Sequence, residues 1–344
     1  VLVQGRLARA DFSESEMTRL RNEVLVGRRA YQPQRADFAQ LARQEYQSRL
    51  EAGELAEGHD PQFVLSEILR QIKARSTEVP HNYSRTWTFS GVNVGTPEPG
   101  QQVYLRYRFF RGSTTSLTEQ QPTEGLWAVR VPAGDGEEEE EDSYRVHPLR
   151  VMSGVYHELP IPAEFIGEDG RLQVVFTNRD QGEESLIFQH ADGPVLLVGA
   201  TSFAENYART SLLIVLQIAF LAALGCAVGA NLSTPVAVFV AASYLVIGLT
   251  VQAAVQAPLR NELGEYQYKN AFERGAHYLA RAVRVVVVSV EDFDASAQLA
   301  RGRLVEMSRM LQALFGLVVL RSVPLAALGI WLFTRRELGT VIRR

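Results

Sequence analysis

The side chains able to carry catalysis or hold a metal are thinly spread through this sequence. Its six histidines, His59, His81, His147, His157, His190 and His277, stand far apart, and no His-Glu-x-x-His or Cys-x-x-Cys spacing forms a metal site. The one cysteine, Cys226, lies in an apolar run, has no partner for an internal disulfide and reads as a small helix filler. No Gly-x-Ser-x-Gly turn presents a nucleophile, and no Gly-x-x-x-x-Gly-Lys-Ser/Thr loop cradles a phosphate. Neither catalysis by this chain nor a bound cofactor or metal is expected. The acidic run GDGEEEEED, residues 134–142, clusters carboxylates as calcium sites do. A monotonous run lacks the ligand spacing of such a site, and it reads as a solvated loop between strands.

The more telling pattern is an absence of charge. Between Arg209 and Arg260 no charged residue occurs, and the middle of that run holds Gly229, Asn231, Ser233, Thr234 and Pro235. A single helix of about fifty residues would reach about 75 Å, against about 30 Å of hydrocarbon, so one straight crossing is impossible. Splitting the run at 231–235 leaves two segments, 209–230 and 235–256, each of crossing length. Pro235 suits the first turn of the second helix, where Ser233 or Thr234 can cap the unpaired N–H groups. Neither segment has a polar face, which argues against a buried soluble hairpin.

A third apolar stretch, 311–333, carries one charge, Arg321, with Pro324 near its centre. An arginine within a membrane is costly and faces a protein interior or water. Arg321 therefore stands on a transport pathway or, on the plainer reading, pairs inside a helix bundle.

The rest of the chain is polar, so the overall hydrophobic content of 46% conceals a division near residue 208. Residues 11–75 read as helical. Ser13 to Glu16 fits a capping box ahead of Met17, Leu20, Val24 and Leu25. A second helix is expected over 37–52, with Phe38, Leu41 and Leu50, and a third begins at Asp60 and Pro61. From about residue 85 the period becomes two, through Trp87 and Phe89, Val103 to Phe109, Leu126 to Val131, Leu172 to Phe176, Leu186 to Phe188 and Val195 to Val198. Short strands between turn residues predict a β-sandwich over 85–200 rather than alternating strands and helices.

The polar stretch 257–310, with Val285 to Val288 as an interfacial or re-entrant patch, carries eight basic residues, among them Arg260, Arg274, Arg281 and Arg284. By parity it shares a side with residues 1–208, opposite the basic tail RRELGTVIRR. Both sides are thus basic, and charge alone does not decide which is cytoplasmic.

Three stretches together resemble permease subunits of bacterial ABC-2-type transporters, the group labelled as transport components for multicopper-enzyme maturation or gliding. They are the hairpin Leu232-Ser233-Thr234-Pro235-Val236-Ala237, the loop Val290-Glu291-Asp292-Phe293-Asp294 with Gly302, and the ending Phe333-Thr334-Arg335-Arg336-Glu337-Leu338. The resemblance spans 205–344 and implies a permease driven by a separate P-loop ATPase subunit, paired with a second permease copy or homologue in the lipid bilayer. Nucleic acid is not among the expected partners. It also implies the bacterial inner membrane, with 1–208 and 257–310 outside and the 230–234 turn and tail inside. Ser233, Thr234, Arg335, Arg336 and Glu337 become the expected ATPase-coupling contacts. Such permeases have more crossings than the three visible here, so further ones are expected ahead of Val1 in what reads as an N-terminally incomplete chain.

Within the β region, Leu159 to Pro162 and Ile166 to Asn178 resemble strands of carbohydrate-binding jelly rolls, although Asp169-Gly170 and the alternation need no sugar to explain them. The expected architecture is an α+β membrane protein: a helical extracytoplasmic segment 1–80, a jelly-roll-like β-sandwich 81–205 and a transmembrane domain 206–344. The alternative function is a membrane-anchored binding or scaffold protein whose β-sandwich takes a glycan or a protein.

Overall fold

The computed structural model describes residues 13, 26–55, 58, 60–95, 100–112, 122–130, 144–182, 184–190, 192–256, 270–287, 296–300 and 302–335. Most of the capping box at Ser13, the residues Met17 to Leu25 behind it, the acidic run 134–142, the 290–294 motif and the tail from Arg336 lie outside the described residues. The chain divides into two compact units, one holding Arg28–Ala200 and the other Leu25–Gly27 with Thr201–Arg344.

The first unit is α+β. Strand β1 (Val26–Tyr31) precedes α1 (Phe38–Glu51) and α2 (Pro61–Thr77), after which come β2 (Glu78–Val79), β3 (Ser84–Phe89), β4 (Gln102–Tyr107), β5 (Phe110–Arg111), β6 (Thr123–Arg130), β7 (Tyr144–Val151), β8 (His157–Pro162), β9 (Leu172–Asn178), β10 (Leu186–Ile187) and β11 (Val195–Ser202). Both helices start where the sequence says. The Asp37 carboxylate accepts the Gln40 N–H at 3.0 Å, and Asp60, ahead of Pro61, accepts the Gln62 N–H at 2.9 Å. The strand β1 corrects the helical expectation for 11–75. Its six residues, VGRRAY, show no clean period, and strand pairing rather than local preference decides their state.

Three antiparallel sheets result, with strand orders β1-β11-β4-β8, β2-β10-β5 and β3-β9-β6-β7. The expected alternation sets the register. Along β9, Leu172, Val174, Phe176 and Asn178 are buried, while Gln173, Val175 and Thr177 are half-buried. Trp127 on β6 faces Phe176 on β9, and Trp87 on β3 faces Val174. One core joins side chains of all three sheets around Trp127, whose ring centroid lies 5.0 Å from Tyr107, 5.0 Å from Phe176 and 5.5 Å from Trp87. Burial pushes the Tyr107 phenol well above its ordinary pKa, because the phenolate would lose its water. The core leaves no room at Gly125, where an added Cβ would stand 2.6 Å from the Phe176 ring.

The second unit is helical. It comprises α3 (Phe203–Gly229), α4 (Thr234–Gln256), α5 (Ala271–Val286), α6 (Ser296–Ala300), α7 (Met307–Ala313), a π-helical segment (Leu314–Ser322) and α8 (Val323–Arg335). The last three run on as one helix of 29 residues, so the described residues hold three helices long and apolar enough to cross a membrane. Their outer faces are apolar: Ile214, Val215 and Ile218 of α3 and Val238, Phe239 and Val246 of α4 are exposed. In water such faces would cost about 25 cal/mol for every Å² of apolar surface left exposed, whereas lipid removes the cost. The inner stripe of α3, Leu213, Leu216 and Phe220, packs on Val305, Ala313 and Leu317.

Candidate functional site

The turn after α3 is locked from within the helical unit. The Asn231 amide donates to the Ala227 carbonyl at 2.8 Å and to the Gly329 carbonyl of α8 at 3.2 Å. Gly329 permits this approach, since a Cβ there would stand 2.8 Å from the Cα of Ala227. The Ser233 carbonyl accepts the Ala237 N–H at 2.8 Å, so Ser233 stands at the start of α4, with Thr234 and Pro235 as its first two residues. Both Ser233 and Thr234 are exposed. Arg335 lies six residues beyond Gly329, about 9 Å farther along the axis, and its guanidinium sits 4.0 Å from the Trp331 ring centroid. Ser233, Thr234 and Arg335 therefore share one end of the bundle. Arg336 and Glu337 lie outside the described residues.

Arg321 stands about 20 Å back along the same helix, inside the π-helical segment. It is half-buried, and its guanidinium donates to the Gly316 carbonyl at 2.7 Å and to the Arg284 carbonyl of α5 at 3.4 Å. The wide turn offers those acceptors: the Val323 N–H reaches back to Val318, and the Ser322 hydroxyl donates to the Leu317 carbonyl at 2.8 Å. Pro324, which cannot donate to the turn before it, follows directly.

Two more polar side chains turn inward nearby in the chain. Gln252 of α4 is 6% exposed and His277 of α5 is 7% exposed. On α5, Phe272, Ala276, Leu279 and Val283 recur on one face and Glu273, His277, Arg281 and Arg284 on the other. The apolar face is the outer one, with Phe272 85% and Leu279 65% exposed. The sequence reading of 257–310 as a polar or interfacial loop is corrected here, since 271–286 form a helix whose apolar and polar residues fall on separate faces, and no sequence motif singled out Gln252 or His277.

Asn206, only 1% exposed, fastens α3 to the segment before α7. Its amide donates to the Arg303 carbonyl at 3.0 Å, and its carbonyl accepts the Val305 N–H at 2.8 Å. That clamp leaves the described start of the third long helix little freedom to slide on the first.

The first unit contains a feature that no local pattern announces, a cleft of about 450 Å³ lined by Phe38, Trp87, Phe188, His190 and three arginines. Its walls come from α1, α2, β3 and the chain around β10, so its residues span 32–194. His157 serves packing: it shares a hydrogen bond with the Met152 carbonyl at 2.8 Å and stacks near Phe109. Among the described residues no three His, Cys, Asp or Glu side chains converge on a metal position.

No protein-family model matches the chain, and no curated protein matches it at a significant level.

Proposed function

We propose that this chain is a membrane-spanning permease subunit of an ABC-type transporter, coupling ATP hydrolysis by a separate ATPase subunit to movement of a substrate across a bacterial inner membrane. The observation that carries the reading is Arg321 in its nine-residue π-helical segment, the one charge between Leu311 and Phe333. A tether needs neither an intramembrane cation nor a widened turn, whereas both recur where membrane helices change state or meet a polar ligand. Gln252 and His277, turned inward on α4 and α5, extend the same polar interior. Residues 1–208 form an extracytoplasmic, jelly-roll-like domain on this reading, and Ser233, Thr234 and Arg335, with Arg336 and Glu337, face the ATPase. A second permease copy or homologue completes the pathway.

The test is expression of the full operon product with affinity capture of this chain. An ATPase subunit should co-purify, and its turnover should fall when Arg335→Glu is introduced and when Arg321→Met is introduced. ATPase turnover indifferent to deletion of this chain would remove the basis of the reading. A second reading, a membrane-anchored binding protein, is favoured by the arginine-lined cleft of the first unit.

A further inference from the structure

We infer that the cleft between α1, α2 and β3 is a binding site for a small organic acid, a carboxylate carried on a ring-shaped body. The inference stands for a permease and for an anchored binding protein alike, and it does not rest on the membrane helices.

Charge is the first argument. Arg35, Arg75 and Arg85 all line the cleft, and among the described residues no aspartate or glutamate does. None of the three has a side-chain hydrogen bond or an ion pair among the described residues. Arg85 is half-buried, with its guanidinium 5.3 Å from the Trp87 ring centroid. Burial lowers its pKa from the ordinary arginine value, the mark of a cation that loses water without gaining a carboxylate. Two acids close to the cleft in sequence are committed elsewhere. Asp37 caps α1 through the Gln40 N–H at 3.0 Å, and Asp192 accepts from Arg108 and from the Tyr156 hydroxyl at 2.6 Å. Three like charges on one concavity repel each other, and a ligand carboxylate relieves that repulsion while accepting from the planar guanidinium fork.

Shape is the second argument. Trp87 and Phe188, 5.2 Å apart between centroids, form an aromatic floor, and Phe38 with His190, 5.5 Å apart, forms a rim. The Ser76 hydroxyl spends its hydrogen on the Lys73 carbonyl at 2.7 Å, so at 3.3 Å it accepts from His190 Nε2, which holds the ring in place. A volume of about 450 Å³ lies within the range of small-molecule sites and suits one or two rings. Flat aromatic walls beside cations favour a ring-bearing anion over a bare ion.

The experiment compares ligands matched in shape and different in charge. The purified full-length chain in detergent is titrated with glucuronate against glucose, benzoate against benzamide, and inorganic phosphate, by calorimetry and by tryptophan fluorescence. At least one acid should bind while its neutral partner does not, and phosphate alone should bind more weakly than that acid. Raising salt should weaken binding, since exposed arginines take part. Arg85→Met should weaken it about ten- to hundredfold, the effect of losing a charge-assisted hydrogen bond. Arg75→Met, at an exposed position, tests the same charge without risk to the core. Equal binding of acid and neutral partner, an unchanged affinity in both variants, or no binding of any acid would overturn the inference. If glucuronate alone binds, the body is a sugar ring; if benzoate alone binds, it is aromatic.

Discussion

Replacing Glu158 by Gln should cost the first unit about 2–3 kcal/mol, because it removes the negative charge that two largely buried arginines share. Glu158 on β8 pairs across the sheet with Arg106 on β4, and also receives Arg28 from β1, 130 residues away in sequence. The Arg28 guanidinium donates to Glu158 at 2.9 Å and Arg106 Nε donates at 2.7 Å. The Arg28 side chain is 6% exposed and that of Arg106 17%, so neither regains water when the carboxylate is lost. Each pair at about 4 Å between charge centres is worth about 4 kcal/mol at an effective dielectric near 20, before desolvation is counted. Breaking buried pairs costs about 3–5 kcal/mol, and the 27% exposure of Glu158 lowers that figure here. For a unit of this size the loss corresponds to a melting point about 5–10 °C lower. The assay is a thermal scan by tryptophan fluorescence, since Trp87 and Trp127 report on this core. Adding Arg28→Met to Glu158→Gln should recover much of the loss by removing a buried positive charge that no longer faces a carboxylate.

The pH dependence carries a definite sign. Burial alone would raise the Glu158 pKa, but hydrogen bonds and charge from Arg28 and Arg106 outweigh it and hold the carboxyl below the ordinary value. A depressed folded-state pKa contributes stability that is complete above the unfolded value, near 4.5, and is lost as the pH falls through the folded one. The gap between parent and Glu158→Gln should therefore be full at pH 7, begin to narrow below the unfolded value near 4.5 and close as the pH falls through the depressed folded value. A variant melting within about 1 °C of the parent at neutral pH would refute the argument. So would a gap that persists in acid.

Other expectations are simpler. Trp127→Ala removes a fully buried ring at the centre of the aromatic cluster and should cost about 3–5 kcal/mol in chemical denaturation of the first unit. Asp60→Ala should cost about 1 kcal/mol by removing the cap of α2, with Asp60→Ser restoring most of it. Gly329→Leu forces α8 away from Ala227 and stretches the Asn231 bond, so resistance of the helical unit to SDS unfolding should drop by about 1–3 kcal/mol. An unchanged SDS midpoint would mean that the two helices are not in close contact.

The legible parts of this protein are those whose cause is local. Fifty positions without charge suit a lipid surrounding, and Pro235 with its polar neighbours marks where that run turns, so α3 and α4 stand within a few residues of expectation. Asp60-Pro61 and the period-two runs through Trp87, Leu105 and Phe176 likewise carry their own signals. Other features depend on distant partners. The residues Val26–Tyr31 become a strand because β11 pairs with them, against the helical surroundings assumed for them. The stretch 257–310 was expected to be a polar or interfacial loop, and only the folded chain shows the helix 271–286 with His277 inward and Phe272 outward, because a periodic pattern has no way to say which medium surrounds it. The arginine cleft is the extreme case. Arg35, Arg75 and Arg85 are unremarkable in sequence, and they become one site only when two helices and two sheets fold together, since charge and shape in a cavity are sums over residues that the chain keeps far apart.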